Sequence, residues 1–560
     1  MFLKCRFVSS LEKVFCRPEL PGESISGVSG AQGETVSFQL AVMVEEEHRR
    51  VEFHAESPFG GALQLRRVGL VPCLKPAPPE DAYVITSLPG VFPDPLFPME
   101  NNAFRVTAGN WFAVWCTVRI PEDFEPGKYE VKFNVKAFYP IYNREESRLD
   151  AEKDLTFRVE VLPFRLPAQK LLATHWFHTD CIYTYYGVPC WSEAHWRLLG
   201  KYFRNLSLHG NNLLLTPLWT PPLDTKVGKE RPTAQLLEIS CEDGQYSFGF
   251  ARLKRWVELA KQNGITAFEM SHAFTQWGAR ATPKIMVREN GREVRKFGWD
   301  VPASDPEYKN FLSQLMPKLL AFLRENGLTP ENTFFHVSDE PTQKMLEDYR
   351  YASTLLNGLL EGYPVIDALS NIEFYRTGLI RRPIPSTGEV EKFAEENPEQ
   401  RWTYYAGNWQ NNVPNRSFGM PSLRNRVLGI LLYIYRMEGF LHWGYNFWFS
   451  VLSENQHLNP YLDTDADTAF CGGSSYLVYP GPDGPVDSLR YEVFNEAMQD
   501  LRACQYLESL AGRDKVMELI QQGASFRVCM TYHPKDAEWL LDLRARINAE
   551  IVRQLSSGKR

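Results

Sequence analysis

From residue 171 onward the sequence repeats one pattern eight times: a short apolar run that closes on polar or aromatic residues, most often followed by a helical stretch. The runs are LLATHWFH, NLLLTPLW, ITAFEMSH, TFFHVSDE, VIDALS, GLIRRPIP, RWTYYAG and GFLHWGYNFW. Strands alternating with helices call for a parallel sheet, because each helix carries the chain back to the starting edge. In FARLKRWVELAKQNG, Phe250, Leu253, Trp256, Val257 and Ala260 form one apolar stripe and Gly264 supplies the stop. A longer helix is predicted over YKNFLSQLMPKLLAFLRENG. Neither a G-x-G-x-x-G turn nor a Walker loop is present, so an open dinucleotide- or phosphate-binding sheet is disfavoured. The pattern predicts an α/β protein with a (β/α)8 TIM-type barrel.

Before the barrel the pattern has period two. In KYEVKFNVKAF, Tyr129, Val131, Phe133 and Val135 share one face and the lysines take the other; DLTFRVEV repeats this with Leu155, Phe157, Val159 and Val161. ETVSFQLAVMV, ALQLRRVGLV and NWFAVWCTVRI continue it between Pro and Gly breaks, which predicts an N-terminal antiparallel β-sandwich. LPFRLPAQ marks the boundary. The expected domains are therefore 1–165 (sandwich), 166–510 (barrel) and 511–560 (C-terminal helical extension), with the stretch from about 489 reading as helix to the end.

At 560 residues with 44% hydrophobic and 13% aromatic content, the chain has apolar surface enough for more than one core. A net charge of -7 offers no basic footprint for nucleic acid or an anionic membrane, so neutral substrates fit best, and a homodimer is compatible with the sequence. Lys4 and Arg6 interrupt any N-terminal apolar segment, and the ten scattered cysteines lack paired spacing; both favour a cytoplasmic protein with reduced thiols.

In a barrel the chemistry sits where strands end. Those ends carry His175, Trp176, His178 and Asp180, then Glu269, Ser271 and His272, then Asp339 and Glu340, Asp367, Tyr404 and Tyr405, and finally Trp443, Tyr445, Asn446 and Trp448. Carboxylates, imidazoles and aromatic faces together suit a sugar pocket. Asp339 and Glu340 are adjacent. Successive strand residues point to opposite faces, so both can face a pocket only where the strand ends or bends. Ordinary glycosidases place their two acids across the scissile bond; adjacent acids suit a substrate that supplies its own nucleophile. The same SDEP could instead cap a helix, with Ser338 or Asp339 as the N-cap.

The stretches THWFHTDCI, FEMSHAFTQWGARATPKIM, FGWD, FHVSDEPT and YLVYPG resemble the motifs of glycoside hydrolase family 123, whose characterised members are β-N-acetylgalactosaminidases. The resemblance implies a sandwich and barrel, no cofactor and no metal. It further implies Glu340 as general acid and base, and Asp339 orienting a 2-acetamido group whose carbonyl oxygen attacks the anomeric carbon, with net retention. For the surrounding pocket it suggests Tyr404 or Tyr405 and Trp443 or Trp448. His175, His178, Asp180, His272 and Asn446 join them as candidate substrate contacts. At GLIRRPIP the chain departs from the acidic and aromatic strand end usual in the family. Physical chemistry asks that one acid of the pair hold its proton at neutral pH while the other stays ionised, the two titrating as a unit. Three alternatives stay open: N-acetylglucosamine as the sugar, a non-catalytic sugar-binding barrel, and a metal-dependent hydrolase built on His175 and His178.

Overall fold

The computed structural model describes residues 2–140, 147–405 and 412–557. The N-terminal part consists of two five-stranded sheets. One has the order Leu3–Ser9, Thr35–Val44, Phe112–Arg119, Leu63–Cys73, Gly90–Pro98; the other has Gly27–Gln32, Ser147–Arg165, Gly127–Pro140, Arg49–Glu56, Ala103–Val106. Alternation explains their faces: Val131, Phe133, Val135, Phe157, Val159 and Val161 are all buried in one core between the sheets. Phe38 and Phe157 stack there at 3.8 Å. The pairing departs from a purely antiparallel sandwich at Gly27–Gln32, which crosses over from the first sheet and so runs parallel to Ser147–Arg165.

All eight apolar runs of the second part contain a strand. We label them β1 (Leu172–His175), β2 (Leu213–Thr216), β3 (Ala267–Met270), β4 (Thr333–Phe334), β5 (Ile366–Ala368), β6 (Arg382–Ile384), β7 (Trp402–Tyr404) and β8 (Gly439–His442). Their pairings are parallel, but they are divided among separate short sheets, β1-β8-β7, β2-β3-β4 and β5-β6, rather than forming one continuous sheet. Isolated parallel bridges Phe335↔Val365 and Ser386↔Tyr404 carry the pairing from β4 to β5 and from β6 to β7. Between β1 and β2, the Asn212 N–H donates to the Ala173 carbonyl at 3.1 Å and the Asn212 side chain accepts from the Ala173 N–H at 2.9 Å. Strands this short expose few ladder groups, so a side chain completes the contact.

Two apolar clusters separate here. Leu213, Leu215, Ala267, Phe334, Ile366, Ala368, Ile384, Trp402, Tyr404 and Leu441 form a small one among the strands, with Trp176 and Leu223 above. The larger cluster fills the space between strands and helices, where Leu253, Trp256, Val257 and Ala260 of Ala251–Gln262 are buried. That helix stops where predicted, with Gly264 at φ 92°. Pro306–Glu325 is the longer helix, capped by Asp305.

Two elements depart from the expected plan. A four-stranded side sheet, Glu238–Glu242, Gln245–Gly249, Ile285–Glu289 and Arg292–Phe297, is inserted around β3. The C-terminal region is not one run of helix but three helices, Leu489–Ala511, Arg513–Gln521 and Ala537–Ser557. The first of these ties the parts together: Arg490 grips Asp94 of the sandwich with both Nε (2.8 Å) and Nη2 (2.9 Å), in full burial. Among the described residues no helix is long and apolar enough to cross a membrane.

Candidate active site

The end of β4 is held by β5. The Asp367 carboxylate accepts the Val337 N–H at 3.1 Å, and the Glu340 N–H donates to the Ala368 carbonyl at 3.0 Å. No helix begins at the acid pair, so neither acid is a cap. A 3-10 turn at Gln343–Met345 precedes the helix Leu346–Asn357, and neither has a side-chain cap. Glu340 instead takes a left-handed backbone, φ 43°, which an L-residue adopts at a cost of about 1–3 kcal/mol. That turn solves the geometric problem posed by two neighbouring acids, because it breaks the strand alternation between them. The Asp339 carbonyl accepts the N–H of Trp277, itself at φ 58°, at 2.7 Å. The Ser338 hydroxyl donates to the Thr275 carbonyl at 2.7 Å, so the loop after β3 braces the pair from the other side.

The two carboxyls have unlike surroundings. Tyr404, at the end of β7, donates its hydroxyl to Glu340 Oε1 at 2.6 Å. Asp339 accepts no side-chain hydrogen bond from the described residues. Burial, reinforced by the charges of Glu340 and Asp367, pushes the Asp339 carboxyl well above the usual carboxylate range, partly offset by His336. Part of the residue still reaches the surface, while its carboxyl lies deep. Within the pair it is Asp339 whose carboxyl is driven toward the protonated form, because it is buried beside two other carboxylates.

Beneath the pair lies a buried chain. His336 Nε2 is 2.9 Å from Glu269 Oε2 and its Nδ1 is 3.2 Å from Asp367 Oδ1. Glu269 also accepts from Thr174 and from the Trp176 indole N–H (3.3 Å), and Asp367 from the Tyr349 hydroxyl (2.6 Å). Burial opposes a charged imidazole, yet the two carboxylates prevail and His336 is raised to about 9. The ring is therefore an imidazolium at neutral pH. Sequence reading noted Glu269 and Asp367 at strand ends without assigning them and missed His336, although it lies only three residues before Asp339, within FHVSDEPT.

Several candidate contacts prove to be turned elsewhere. His175 alternates with the inward Thr174 and Trp176 and so points outward, between Asn211 (2.6 Å) and Arg416 (2.5 Å). His178 faces the Trp443 carbonyl at 2.9 Å and Arg231 at 3.1 Å, and Asp180 forms a bidentate pair with the same Arg231. The two histidines do not converge, which removes the metal centre proposed on them; burial and the adjacent arginines hold both well below the ordinary histidine range. His272 is fully enclosed, stacked on His336 at 4.3 Å, and neither of its ring nitrogens finds a partner among the described residues. Tyr405 turns away toward Asn425, 3.3 Å from its hydroxyl. Asn446 clamps the backbone of His178 through its N–H and carbonyl, and Trp448 donates to the Val478 carbonyl at 3.1 Å. Asp339, Glu340 and Tyr404 are thus brought together. Trp443 is half-buried and packs against the interior cluster that contains Tyr404.

His272, His336 and Asp367 place potential ligand atoms within 4.8 Å of one another. Both His336 nitrogens already face carboxylates, so a cation there would compete with a formed imidazolium. A cavity of about 710 Å³, lined in part by Glu34, Arg426 and Arg544, lies at the seam of sandwich and C-terminal helices, away from the acid pair. The chemistry follows the carboxylates and not that volume.

The family model for "Glycoside hydrolase 123, catalytic domain" matches residues 176–507. Among solved structures, a family 123 glycoside hydrolase from Clostridium perfringens, studied for glycolipid glycan hydrolysis, superposes with a TM-score of 0.74 at 14% identity, with 100% of each chain covered. The β-glucuronidase from Ruminococcus gnavus matches at a TM-score of 0.31 and 9% identity, covering 82% of this chain and 66% of its own. No curated protein sequence matches.

Proposed function

Because the chain belongs to glycoside hydrolase family 123, we propose that it is a retaining exo-β-N-acetylgalactosaminidase that uses the substrate's own acetamido group as nucleophile. The observation that carries this reading is the contrast within the acid pair: Glu340 is held by Tyr404, and Asp339 lies beside it with no side-chain donor among the described residues. Asp339 accepts the acetamido N–H, which favours its carboxylate and moves the shared proton to Glu340. With Oε1 fixed by Tyr404, Glu340 protonates the leaving oxygen from Oε2 as the acetamido carbonyl oxygen closes on the anomeric carbon and the glycosidic bond breaks. The oxazolinium N–H stays on Asp339. Glu340 then takes a proton from water, whose oxygen attacks the anomeric carbon from the face the aglycone left, reopening the ring with net retention.

Trp443 offers a half-buried indole face for the sugar. No carboxylate stands across from Glu340 as a protein nucleophile in this reading; the acetamido oxygen takes that place. We read the eight parallel strands as a (β/α)8 barrel within 166–510, supported by the pairings and bridges that pass from β1 round to β8 and by the separate cluster they enclose, with the sandwich as 1–165 and the helical extension as 511–560. The expected partner is a small glycoside. Proton NMR of the first product formed from an aryl β-N-acetylgalactosaminide tests the reading: the β-anomer is expected first, and the α-anomer first excludes it. Faster turnover of the matching glucosaminide would change the sugar and leave the mechanism standing.

A further inference from the structure

A third carboxyl, unused by the reaction above, belongs to Asp224 in the loop after β2. It directly follows Leu223, which packs in the interior cluster with Trp176 and Tyr404. Its backbone is left-handed, φ 41°, a conformation that persists only where the surroundings over-determine it. Two other loops do so. The Asp224 N–H donates to the side-chain carbonyl of Gln276 after β3; beyond β8, the Ser453 hydroxyl donates to the Asp224 carbonyl at 2.7 Å and the Leu452 N–H to Asp224 Oδ2 at 3.0 Å. Arg231, fixed by Asp180 and His178, donates to the Leu223 carbonyl at 2.9 Å and secures the preceding residue.

This clamp leads to the acid pair. Gln276 is followed by Trp277, whose N–H meets the Asp339 carbonyl at 2.7 Å, so one dipeptide holds Asp224 through the Gln276 side chain and Asp339 through the Trp277 backbone. Charge reports the same proximity: Asp224 is among the groups that raise Asp339, and burial pushes Asp224 itself up to about 6. Both backbone groups of Asp224 and its Oδ2 are engaged, while Oδ1 accepts from none of the described residues. The residue remains half-buried, within reach of solvent. As a loop latch alone, Asp224 would need only the one oxygen.

We infer that Asp224 is a specificity-determining contact of the same pocket, its Oδ1 accepting a hydrogen bond from a ring or 6-hydroxyl of the bound N-acetylhexosamine. This rests on the glycosidase reading. A site built to accept a hydroxyl rejects the analogue that lacks it, because the buried acceptor is then left unpaired. The test compares 4-nitrophenyl β-N-acetylgalactosaminide with its 3-deoxy, 4-deoxy and 6-deoxy analogues on the wild-type protein and on Asp224→Ala, which removes both carboxylate oxygens. One analogue is expected to lose about 10-fold or more in kcat/KM on the wild-type protein, and that single penalty is expected to shrink to within about 3-fold of unity in the variant while the others persist. Penalties that are the same in variant and wild type, or absent from the wild type, overturn the inference. If Asp224→Ala fails to fold, Asp224→Ser, which keeps one acceptor for the Leu452 N–H, is compared in its place. Failure of the wild-type protein to cleave the parent glycoside defeats the underlying reading instead, and is seen before any variant is made.

Discussion

Two histidine clusters, on opposite faces of the short parallel strands, have opposite electrostatics. On the outer side of β1 and β8, His175 and His442 flank Arg416, at 2.5 Å and 2.7 Å, and burial beside that guanidinium keeps both rings neutral. On the inner side, His336 stands between Glu269 and Asp367 and is charged. The same side chain, equally buried, takes the form its partners demand. The outer cluster fastens strands to the C-terminal helix, as the Asn211 to Tyr491 contact at 2.8 Å shows. The inner one sets a fixed cation beneath two carboxyls, one of which must ionise to serve the proposed reaction.

The largest effect expected from breaking this arrangement is at the pair itself. Glu340→Gln should lower kcat/KM on an aryl galactosaminide by about 10²–10⁴-fold, the usual worth of a general acid, and the loss should be smallest for the best leaving groups. His336→Gln comes next: removing one member of a buried charge network costs about 3–5 kcal/mol, measurable by denaturant unfolding. It should also displace the acidic limb of the pH–rate profile to higher pH, because Asp339 loses its nearby cation. His175→Gln should leave that limb in place.

The pH dependence of stability separates the clusters by sign. His336 is raised from 6.5 to about 9, so its contribution, on the order of 3 kcal/mol, is fully present below pH ~6.5 and is lost as pH rises through ~9. For His175 and His442, held low, the contribution is present above the unfolded value and lost as pH falls below it. Unfolding of the wild-type protein at pH 7 and pH 9 should therefore show a loss that His336→Gln lacks. Tyr404→Phe is smaller still: a hydrogen bond to a charged group is worth about 1.5–3 kcal/mol, so kcat/KM should fall about 10- to 100-fold. Tyr405→Phe, which loses the Asn425 contact and the hydroxyl's interaction with Arg416, both remote from the acid pair, should change thermal stability slightly and kinetics not at all; an equal effect of both would erase the distinction drawn between these neighbours.

Much of the fold was legible because its signals are local. Period-two alternation located the sandwich strands, and each of the eight apolar runs holds a strand. The side sheet was legible too and was missed: Asp243-Gly244 and Asn290-Gly291 are two-residue hairpin turns with positive φ, the strongest short-range hairpin signal in a sequence. The acid pair was readable from strand geometry. What could not be read was direction at the strand ends, since nothing within β1 fixes whether Thr174 or His175 faces inward; that parity is set by how the strand packs beside β8, where His175 pairs with His442. Asp224 left no signal, because its placement arises from loops after three strands far apart in sequence.

The central claim is that the substrate's acetamido oxygen, and no group of the protein, attacks the anomeric carbon. Fluorination of the acetyl methyl withdraws electrons from that oxygen with little change in size. The direct measurement is kcat/KM on the N-acetyl, N-fluoroacetyl, N-difluoroacetyl and N-trifluoroacetyl forms of one aryl galactosaminide. A steep, monotonic fall with each fluorine is the predicted result; rates that stay level across the series contradict the account.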